Sequence, residues 1–237
     1  MSHHILLTGA SRGIGGAIRR QLEGRPDVRL VGQSTAGGDG LVAADFADAA
    51  APAAIWAEAL DRLDGRVDVL VNNAGIFEAT PIDLPDAEWS AGWARTMQVN
   101  LTASAELSRL AVRHWRERGQ GGRIVNVASR AGHRGDSPDH WHYAASKAGM
   151  LAVTKTIARG YAAEGIYAFA VCPGFTVTGM VEDYLSSRGG EKLLADIPLG
   201  RVATPDEIAD VVRFLALEAP ASMTGATIDV NGASYVR

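Results

Sequence analysis

Short apolar runs alternate with longer stretches of helical periodicity along the whole chain. Several of the short runs are apolar on consecutive residues, which is typical of strands buried on both faces of a parallel sheet. The predicted strands are Ile5–Thr8, Val28–Gly32, Leu41–Ala44, Val67–Val71, Arg123–Ala128, Ala168–Val171 and Thr227–Val230. The predicted helices are Ile14–Leu22, Ala53–Leu63, about Glu88–Arg118, about Tyr143–Ala163 and, after an N-cap at Thr204, Pro205 to about Leu217.

This alternation predicts an α/β fold: a Rossmann-type, doubly wound parallel sheet of about seven strands with helices on both faces. No repeat or linker divides the sequence, so residues 1–237 are expected to form a single domain. One connection breaks the pattern. Too few residues separate Gly32 from Leu41 for a helix, although parallel neighbours usually need a dozen or more for the crossover. Either a bare loop makes the crossing or the third predicted strand is misplaced.

Composition and charge narrow the function classes. The chain is 47% hydrophobic and 21% charged, and its net charge of −4 gives no electrostatic reason to expect nucleic acid or an anionic membrane as partner. Its single cysteine, Cys172, excludes an internal disulfide and is typical of a reducing compartment. Because no apolar run would cross a bilayer and no secretory signal opens the chain, we expect a cytoplasmic protein.

A glycine-rich turn, Thr8-Gly9-Ala10-Ser11-Arg12-Gly13-Ile14-Gly15, follows the first predicted strand and opens the first helix. Such a turn lets backbone N–H groups approach a pyrophosphate, and the start of the helix adds a partial positive charge. A strand-to-helix turn that binds no ligand could use the same residues. Its position in the first βα unit favours a dinucleotide site.

Tyr143 and Lys147 lie one helical turn apart on the same face of a predicted helix. Hydride transfer to a carbonyl creates an alkoxide that needs a proton, and a free tyrosine has a pKa of about 10. A nearby lysine cation favours the phenolate and is expected to lower that pKa. Ser129, after the fifth strand, can donate a hydrogen bond to the carbonyl oxygen. A tyrosine and a lysine at this spacing also occur by chance on many helices.

The order of these motifs resembles the single-domain branch of the short-chain dehydrogenase/reductase family, and the resemblance extends along the whole chain. It is carried by the glycine turn and by Asn72-Asn73-Ala74-Gly75, Asn100, Ser129, Tyr143-Ala-Ala-Ser-Lys147, Pro173-Gly174 and the segment from Thr224 to Gly232. Members of the 3-oxoacyl-acyl-carrier-protein reductase type are similar.

The resemblance implies four catalytic residues: Tyr143 as acid and base, Ser129 as hydrogen-bond donor, Lys147, which also holds the nicotinamide ribose, and Asn100, which holds a water in a proton relay. Asn100 could equally be a buried polar residue that satisfies the backbone of a bent helix, and both roles can hold together. The expected cofactor-binding residues are Gly9, Ser11, Arg12, Gly13, Ile14, Gly15, Ser34, Thr35, Asp45, Phe46, Asn73, Ala74, Gly75, Tyr143, Lys147, Pro173, Gly174, Thr176 and Thr178.

The end of the second strand bears on the choice between NAD and NADP. An acidic residue there usually binds the adenosine ribose and repels a 2′-phosphate, but Ser34 occupies the position. Ser34 and Thr35 can donate to a phosphate, and Arg12 supplies a cation, although it could simply be a solvated loop residue. NADP(H) is therefore favoured, and NAD(H) is the alternative. The resemblance places Asp45 and Phe46 at the adenine and Thr178 at the carboxamide.

Three histidines lie in the interval between Ser129 and Tyr143: His133, His140 and His142. His140 and His142 flank Trp141 without helical register, and no cysteine or acidic cluster completes a ligand pattern. No metal site is expected from this spacing. The simpler interpretation is a longer loop over the substrate pocket.

The substrate is expected to be a small carbonyl compound or secondary alcohol, and NADPH-dependent ketone reduction is the favoured reaction. Glu164 stands where carrier-protein reductases often have a basic residue, which argues against that substrate. A sugar, polyol or secondary-alcohol dehydrogenase that uses NAD remains an alternative, as does a non-catalytic NADP-binding sensor or scaffold. The glycine spacing argues against a nucleotide-sugar epimerase.

Two further expectations come from the family. Residues 179–198 form the substrate lid, in which Met180, Tyr184 and Leu185 could line the pocket or simply pack. The two long predicted helices, Glu88–Arg118 and Tyr143–Ala163, are expected to form the interfaces of a homodimer or homotetramer.

Overall fold

A single sheet runs through the computed structural model, which describes residues 2–177 and 194–237. Its strands are β1 His3–Leu7, β2 Val28–Ser34, β3 Val42–Ala43, β4 Val69–Asn72, β5 Gly122–Val127, β6 Ile166–Pro173 and β7 Thr227–Val230. They lie in the order β3-β2-β1-β4-β5-β6-β7, and each neighbouring pair is parallel. The predicted doubly wound parallel sheet is confirmed.

Helices cover both faces of the sheet. They are α1 Gly13–Glu23, α2 Ala51–Arg62, α3 Asp86–Met97, α4 Ala103–Glu117, α5 Ala131–Arg134, α6 Trp141–Tyr161 and α7 Pro205–Leu217. The predicted N-cap Thr204 starts α7 as part of a capping box, because its hydroxyl accepts from the Glu207 N–H and the Glu207 carboxylate accepts from the Thr204 N–H. No helix in the described ranges is long and apolar enough to span a membrane.

The side chains of β1 show how the core divides into two layers. Leu6 packs into a cluster with residues of α2, α4 and α6, whereas Ile5 and Leu7 pack with residues of α1 and α7. Successive residues of a strand point to opposite faces, so a continuous apolar run such as Ile5–Leu7 requires helices on both sides. The loops at the carboxyl ends of the strands lie between these layers, at one edge of the sheet.

A bare loop makes the crossing between β2 and β3. Gln33 pairs with Val42 in parallel register, and the Leu41 N–H donates to the Gly38 carbonyl at 2.8 Å to close a tight turn. Four consecutive residues, 37–40, have positive φ, which lets the chain reverse without a helix. The predicted third strand is therefore correctly placed, although only its two central residues are extended.

The long helix predicted from Glu88 to Arg118 is not continuous. A π-helical segment, Gln98–Thr102, joins α3 to α4. Such wide turns occur mostly as single insertions in α-helices and are frequent at functional sites. Here the segment contains Asn100, so the prediction of one regular helix is corrected at the residue that the resemblance assigned to a proton relay.

Candidate active site

The glycine turn forms a cradle at the start of α1. A Cβ atom built on Gly15 would lie 1.9 Å from the Gly9 carbonyl oxygen, so the turn is too tight for any larger residue there. Gly13 is the first residue of α1, Ser11 and Arg12 before it are exposed, and Ile14 after it is partly buried in the core.

The open start of α1 fits a phosphate group. Arg12 occupies the N-cap, but no side chain accepts from the first-turn N–H groups and no acidic residue lies in that turn. A helix start without a capping acceptor binds anions through its free N–H groups and its dipole.

Thr8 and Asn73 lock the glycine turn against the end of β4. The Thr8 hydroxyl accepts from the N–H groups of Asn73 and Ala74, each at 3.0 Å. The Asn73 amide donates to the carbonyls of Thr8 and Gly9, also at 3.0 Å. Asn73 therefore shapes the cradle with its side chain, and Thr8 is a site residue that the sequence analysis did not assign, although it begins the motif.

The predicted ribose residue at the end of β2 is already engaged by its own loop. The buried Ser34 hydroxyl accepts from the Gly37 N–H at 3.0 Å, so only its remaining hydrogen-bonding capacity can serve a ligand. Gln33, which the sequence analysis did not assign, accepts from the Gly9 N–H at 2.9 Å and donates to the Ala44 carbonyl. It joins the second strand to the cradle.

The remaining residues assigned to the adenosine end differ in exposure. Thr35, Asp45 and Arg12 are exposed at the carboxyl edge of the sheet, where a ligand can reach them. Phe46 is only 4% exposed and packs in the core with α2, so its side chain cannot face an adenine ring. Any contact that Phe46 makes with the base must come from its backbone.

Ser129 and Tyr143 come together from different elements. Ser129 follows β5, is buried, and accepts a hydrogen bond from the Ala131 N–H at 3.1 Å, which leaves its hydroxyl hydrogen free to donate. Tyr143 lies in the first turn of α6. Ser129 is close enough to Tyr143 for side-chain hydrogen bonding to oppose the effect of burial on the pKa of Tyr143.

Burial dominates the protonation of both Tyr143 and Lys147. It raises the pKa of Tyr143 to about 12 and lowers the pKa of Lys147 to about 8. The expectation that Lys147 lowers the pKa of Tyr143 is not met by these side chains. The Lys147 Nζ donates to the Val127 carbonyl at 2.9 Å and lies 5.7 Å from the centroid of the tyrosine ring. Tyr143 is thus held as a neutral phenol, the form that can donate a proton.

Asn100 is fully buried and satisfies a backbone segment, as one of its two predicted roles requires. Its amide Nδ2 donates to the Ile76 carbonyl at 2.9 Å and to the Ser146 hydroxyl at 3.3 Å. A Cβ atom on Gly75 would lie 3.3 Å from Asn100 Oδ1 and 3.5 Å from Lys147 Nζ. The lysine, the asparagine and the chain after β4 therefore converge at one point.

The carboxyl end of β6 closes the other side of the site. Pro173 accepts from the Arg130 N–H at 3.0 Å, and a Cβ atom on Gly174 would lie 2.9 Å from the Asn231 Cα. Thr176 is buried and donates to the Gly174 carbonyl at 3.2 Å. Thr178, the predicted carboxamide ligand, lies outside the described residues.

Aromatic rings flank Tyr143 at its open side. The rings of Phe77 and His140 stack with centroids 3.9 Å apart, and Phe77 meets Tyr143 edge-on at 4.8 Å. The sequence predicts a substrate loop around His140 but carries no signal for Phe77, which follows the Asn73–Gly75 motif without a pattern of its own. Phe77 is 44% exposed, so this stack presents an aromatic wall beside the catalytic hydroxyl.

His142 has a positioning role next to Tyr143. Its Nδ1 accepts from the Tyr143 N–H at 2.8 Å, so its Nε2 carries the proton and donates to the Thr80 hydroxyl at 2.7 Å. Burial lowers the pKa of His142, which favours this neutral form. The first turn of α6 is thereby fixed from both sides.

Only the end of the predicted lid is described. Ile197 packs in a small apolar cluster with Leu194 and Val202, and Asp196 forms ion pairs with Arg134 at 2.9 Å and Arg130 at 3.6 Å. Met180, Tyr184 and Leu185, the predicted pocket residues of the lid, lie outside the described residues.

Comparison with known proteins defines the class. A family model described as Enoyl-(Acyl carrier protein) reductase matches residues 9–233. The chain belongs to the short-chain dehydrogenase/reductase family of oxidoreductases.

Particular relatives agree with this class. A 3-oxoacyl-(acyl-carrier-protein) reductase FabG of Vibrio cholerae is 37% identical over 98% of this chain and 96% of its own length. An acetoacetyl-CoA reductase of Rhizobium meliloti is 35% identical over 99% of both chains. The crystal structure of gox2181 matches with a TM-score of 0.87 at 26% identity, covering 99% of this chain and 96% of that one.

Proposed function

We propose that this protein is an NADPH-dependent ketone reductase in which Tyr143 donates the proton. The observation that carries the proposal is the convergence of Ser129, Tyr143, Lys147 and Asn100 at one edge of the sheet, beside an open helix start. A non-catalytic sensor on this fold would need the cradle but would not need a half-buried tyrosine beside a buried lysine, whose charge is costly to desolvate.

When bound, a nicotinamide cofactor would supply the hydride that reduces the carbonyl carbon. Ser129 donates a hydrogen bond to the substrate oxygen and stabilises the negative charge that develops there. Tyr143 is a neutral phenol with a pKa of about 12, so it gives up its proton only when the strongly basic alkoxide forms. Lys147 holds the ribose of the cofactor and contributes a positive charge beside the phenol while it stays protonated.

Two features of the adenosine end favour NADP over NAD. No acidic residue ends β2, so nothing there repels a 2′-phosphate. Arg12 is exposed beside the cradle and forms no ion pair within the described part of the chain, so its guanidinium is free to bind a phosphate. The engaged hydroxyl of Ser34 makes Arg12 the principal determinant of the preference.

For the substrate we propose a 3-oxoacyl thioester carried on coenzyme A. Both the Vibrio cholerae and the Rhizobium meliloti relatives are named for reduction of a 3-oxoacyl group. An acidic carrier protein would be attracted by an unpaired cation near position 164, but there Glu164 neutralises Arg116 at 2.8 Å. The Phe77–His140 wall offers a flat apolar surface to the acyl chain.

The oligomer and the compartment belong to the same proposal. We place the protein in the cytoplasm as a homodimer or homotetramer that associates through the long helices α4 and α6. Light scattering at micromolar concentration is expected to give a multiple of the 24.9 kDa chain mass. A monomeric mass would contradict the oligomer without affecting the proposed reaction.

The reaction is tested with purified protein, NADPH or NADH, and a panel of acetoacetyl-CoA, acetoacetyl carrier protein, simple ketones, secondary alcohols and polyols. The expected result is oxidation of NADPH, read at the nicotinamide absorbance, with acetoacetyl-CoA preferred over the carrier-protein thioester. Binding of either cofactor without turnover of any compound would instead support the sensor. Turnover of polyols with NAD alone would support the alternative dehydrogenase.

A further inference from the structure

Three potential metal ligands from different elements meet outside the set of catalytic residues, although Cys172 is close enough to Tyr143 and Lys147 to affect their pKa values electrostatically. His133 lies on α5, Cys172 near the end of β6, and Asp229 on β7, where it is paired with Cys172 in the strand register. The imidazole nitrogen, the thiol sulphur and a carboxylate oxygen of these residues lie within 4.8 Å of one another. None of the three has a role in the proposed reaction.

The distances suit a small tetrahedral ion. Zn²⁺ binds thiolate sulphur at about 2.3 Å and imidazole nitrogen at about 2.0–2.1 Å, so two such ligands at a tetrahedral angle lie about 3.6 Å apart. Cys172 Sγ and His133 Nε2 are 3.6 Å apart. The orientation of the His133 ring is also restrained, because the ring stacks on Tyr235 with centroids 5.6 Å apart and an interplanar angle of 9°. A carboxylate oxygen of Asp229 lies within 4.8 Å of both atoms, so the Asp229 side chain would move toward an ion bound between them.

Asp229 provides an independent indication of a ligand. One carboxylate oxygen, Oδ2, accepts from Arg237 Nε at 2.9 Å. The other, Oδ1, is buried and has no hydrogen-bond partner in the part of the chain that the structure describes. A buried anionic oxygen without a donor is costly, and a bound ion or water is the usual explanation.

Solvent access and charge balance both suit a cation. Asp229 lines an open cavity of about 540 Å³, so one of the three ligands borders the solvent; the other lining residues are Val230, Asn231, Gly232, Ala233, Tyr235, Val236 and Arg237. A divalent cation would be neutralised by the thiolate and the carboxylate. Arg237 and Lys155 are the cations that act on His133. Arg237 can keep its bond to Oδ2 while Oδ1 binds the ion.

We propose that His133, Cys172 and Asp229 form a binding site for a divalent transition-metal ion of the zinc type, with a fourth position open to the cavity. Binding forms a metal–sulphur bond and breaks the S–H bond, and the proton passes to the solvent. No electron is transferred. The spacing of the histidines in one loop predicts no metal site, because both partner ligands are remote from that loop in sequence.

The test exploits the fact that Cys172 is the only cysteine in the chain. Co²⁺ is titrated into the full-length protein, and absorption is followed in the near-ultraviolet and visible ranges. A thiolate-to-cobalt charge-transfer band can arise only from Cys172. The expected result is a band that saturates at one equivalent and disappears when excess Zn²⁺ is added. The substitutions His133→Asn and Asp229→Asn should each weaken Co²⁺ binding at least about tenfold, as loss of even a supporting residue of a metal site does.

His140→Asn is the matched control, because His140 lies in the same loop region but contacts Phe77 rather than the cluster. It should leave the band unchanged. Both ligand substitutions avoid the fully buried cysteine, and circular dichroism verifies that the variants fold. The proposal is overturned if Co²⁺ binds without the band, as surface histidines would bind it, or if the band survives both substitutions. Neither readout depends on enzymatic activity, so the result is independent of the proposed function.

Discussion

The side-chain amide of Asn100 pairs with both backbone groups of Ile76. Asn100 Oδ1 accepts from the Ile76 N–H at 2.8 Å, and Nδ2 donates to the Ile76 carbonyl at 2.9 Å. Through these two bonds Asn100 supplies the hydrogen-bond partners that a neighbouring strand would provide if β4 continued to Ile76. The same pairing holds Gly75 next to Lys147. The backbone after β4 and the surroundings of the catalytic lysine therefore both depend on the Asn100 amide.

Removing this amide is expected to destabilise the fold. Asn100→Ala should lower the free energy of unfolding by about 2–3 kcal/mol, because two buried backbone groups lose their partners. Asn100→Asp keeps the acceptor for the Ile76 N–H and loses the donor, and burying a carboxylate there carries its own penalty. Urea unfolding measures both. An alanine variant as stable as the wild type would show that water replaces the amide.

Two adjacent glycines should respond oppositely to alanine. At Gly15 the new methyl group would meet the Gly9 carbonyl oxygen at 1.9 Å, whereas at Gly16 the nearest atom is 3.6 Å away, an ordinary contact. Gly15→Ala should therefore abolish cofactor binding and lower the unfolding temperature. Gly16→Ala should stabilise the helix by roughly 0.5–1 kcal/mol. Thermal unfolding and cofactor fluorescence titration test the pair, and similar behaviour of the two variants would contradict the tight-turn geometry.

Tyr143→Phe is expected to lower kcat by at least about a hundredfold, since it removes the proton donor. Cofactor affinity should change by less than about twofold, because the ring and its packing remain. Tyr161→Phe, at the other end of α6, is the control and should have normal turnover. Substantial turnover by the Tyr143 variant would mean that the proton comes from another group.

Lys147 sets a pH limit on the reaction. Its pKa of about 8 implies that the ammonium is lost as the pH rises through 8, so ketone reduction should decline above that value. Below pH 8 the buried charge destabilises the fold. The free energy of unfolding rises as the pH increases from about 8 to the ordinary lysine pKa of 10.5, because in this range only the unfolded chain binds the proton.

Lys147→Met is therefore expected to raise the free energy of unfolding at pH 7 by about 1–2 kcal/mol while it abolishes turnover. The stability gain should shrink between pH 8 and 10.5, the window in which the wild type recovers its own stability. Urea unfolding at several pH values makes the comparison. A variant less stable than the wild type at pH 7 would show that the hydrogen bond from Lys147 to the Val127 carbonyl stabilises the fold by more than burial of the charge destabilises it.

Arg12 should govern the choice of cofactor. Arg12→Gln is expected to weaken NADPH binding about tenfold, the effect of one charge-assisted hydrogen bond, and to leave NADH binding unchanged. Arg20→Gln is the control, because Arg20 lies on the same helix but is paired with Asp206. Equal losses for both cofactors would place Arg12 at the pyrophosphate instead of the 2′-phosphate.

The order of strands and helices could be predicted because it depends on local periodicity. A buried parallel strand such as β1 must be apolar on consecutive residues, and a helix between two strands shows its spacing directly. The catalytic residues could be named for a related reason: Tyr143 and Lys147 share one helical turn, and the motifs around them keep their order. Phe77 and Thr80 carried no such signal, because each acquires its role only from a partner on α6.

The tertiary structure alone decided the properties that depend on remote neighbours. Burial, not the nearby ammonium, determines the pKa of Tyr143, and burial is a property of packing that no spacing encodes. The register of the sheet, rather than local helix propensity, determines that a loop without a helix joins β2 to β3. The π-helical turn at Asn100 forms where this side chain bonds to the backbone of Ile76. His133, Cys172 and Asp229 come from three elements that are separated in sequence, and only the fold brings their ligand atoms within 4.8 Å of one another.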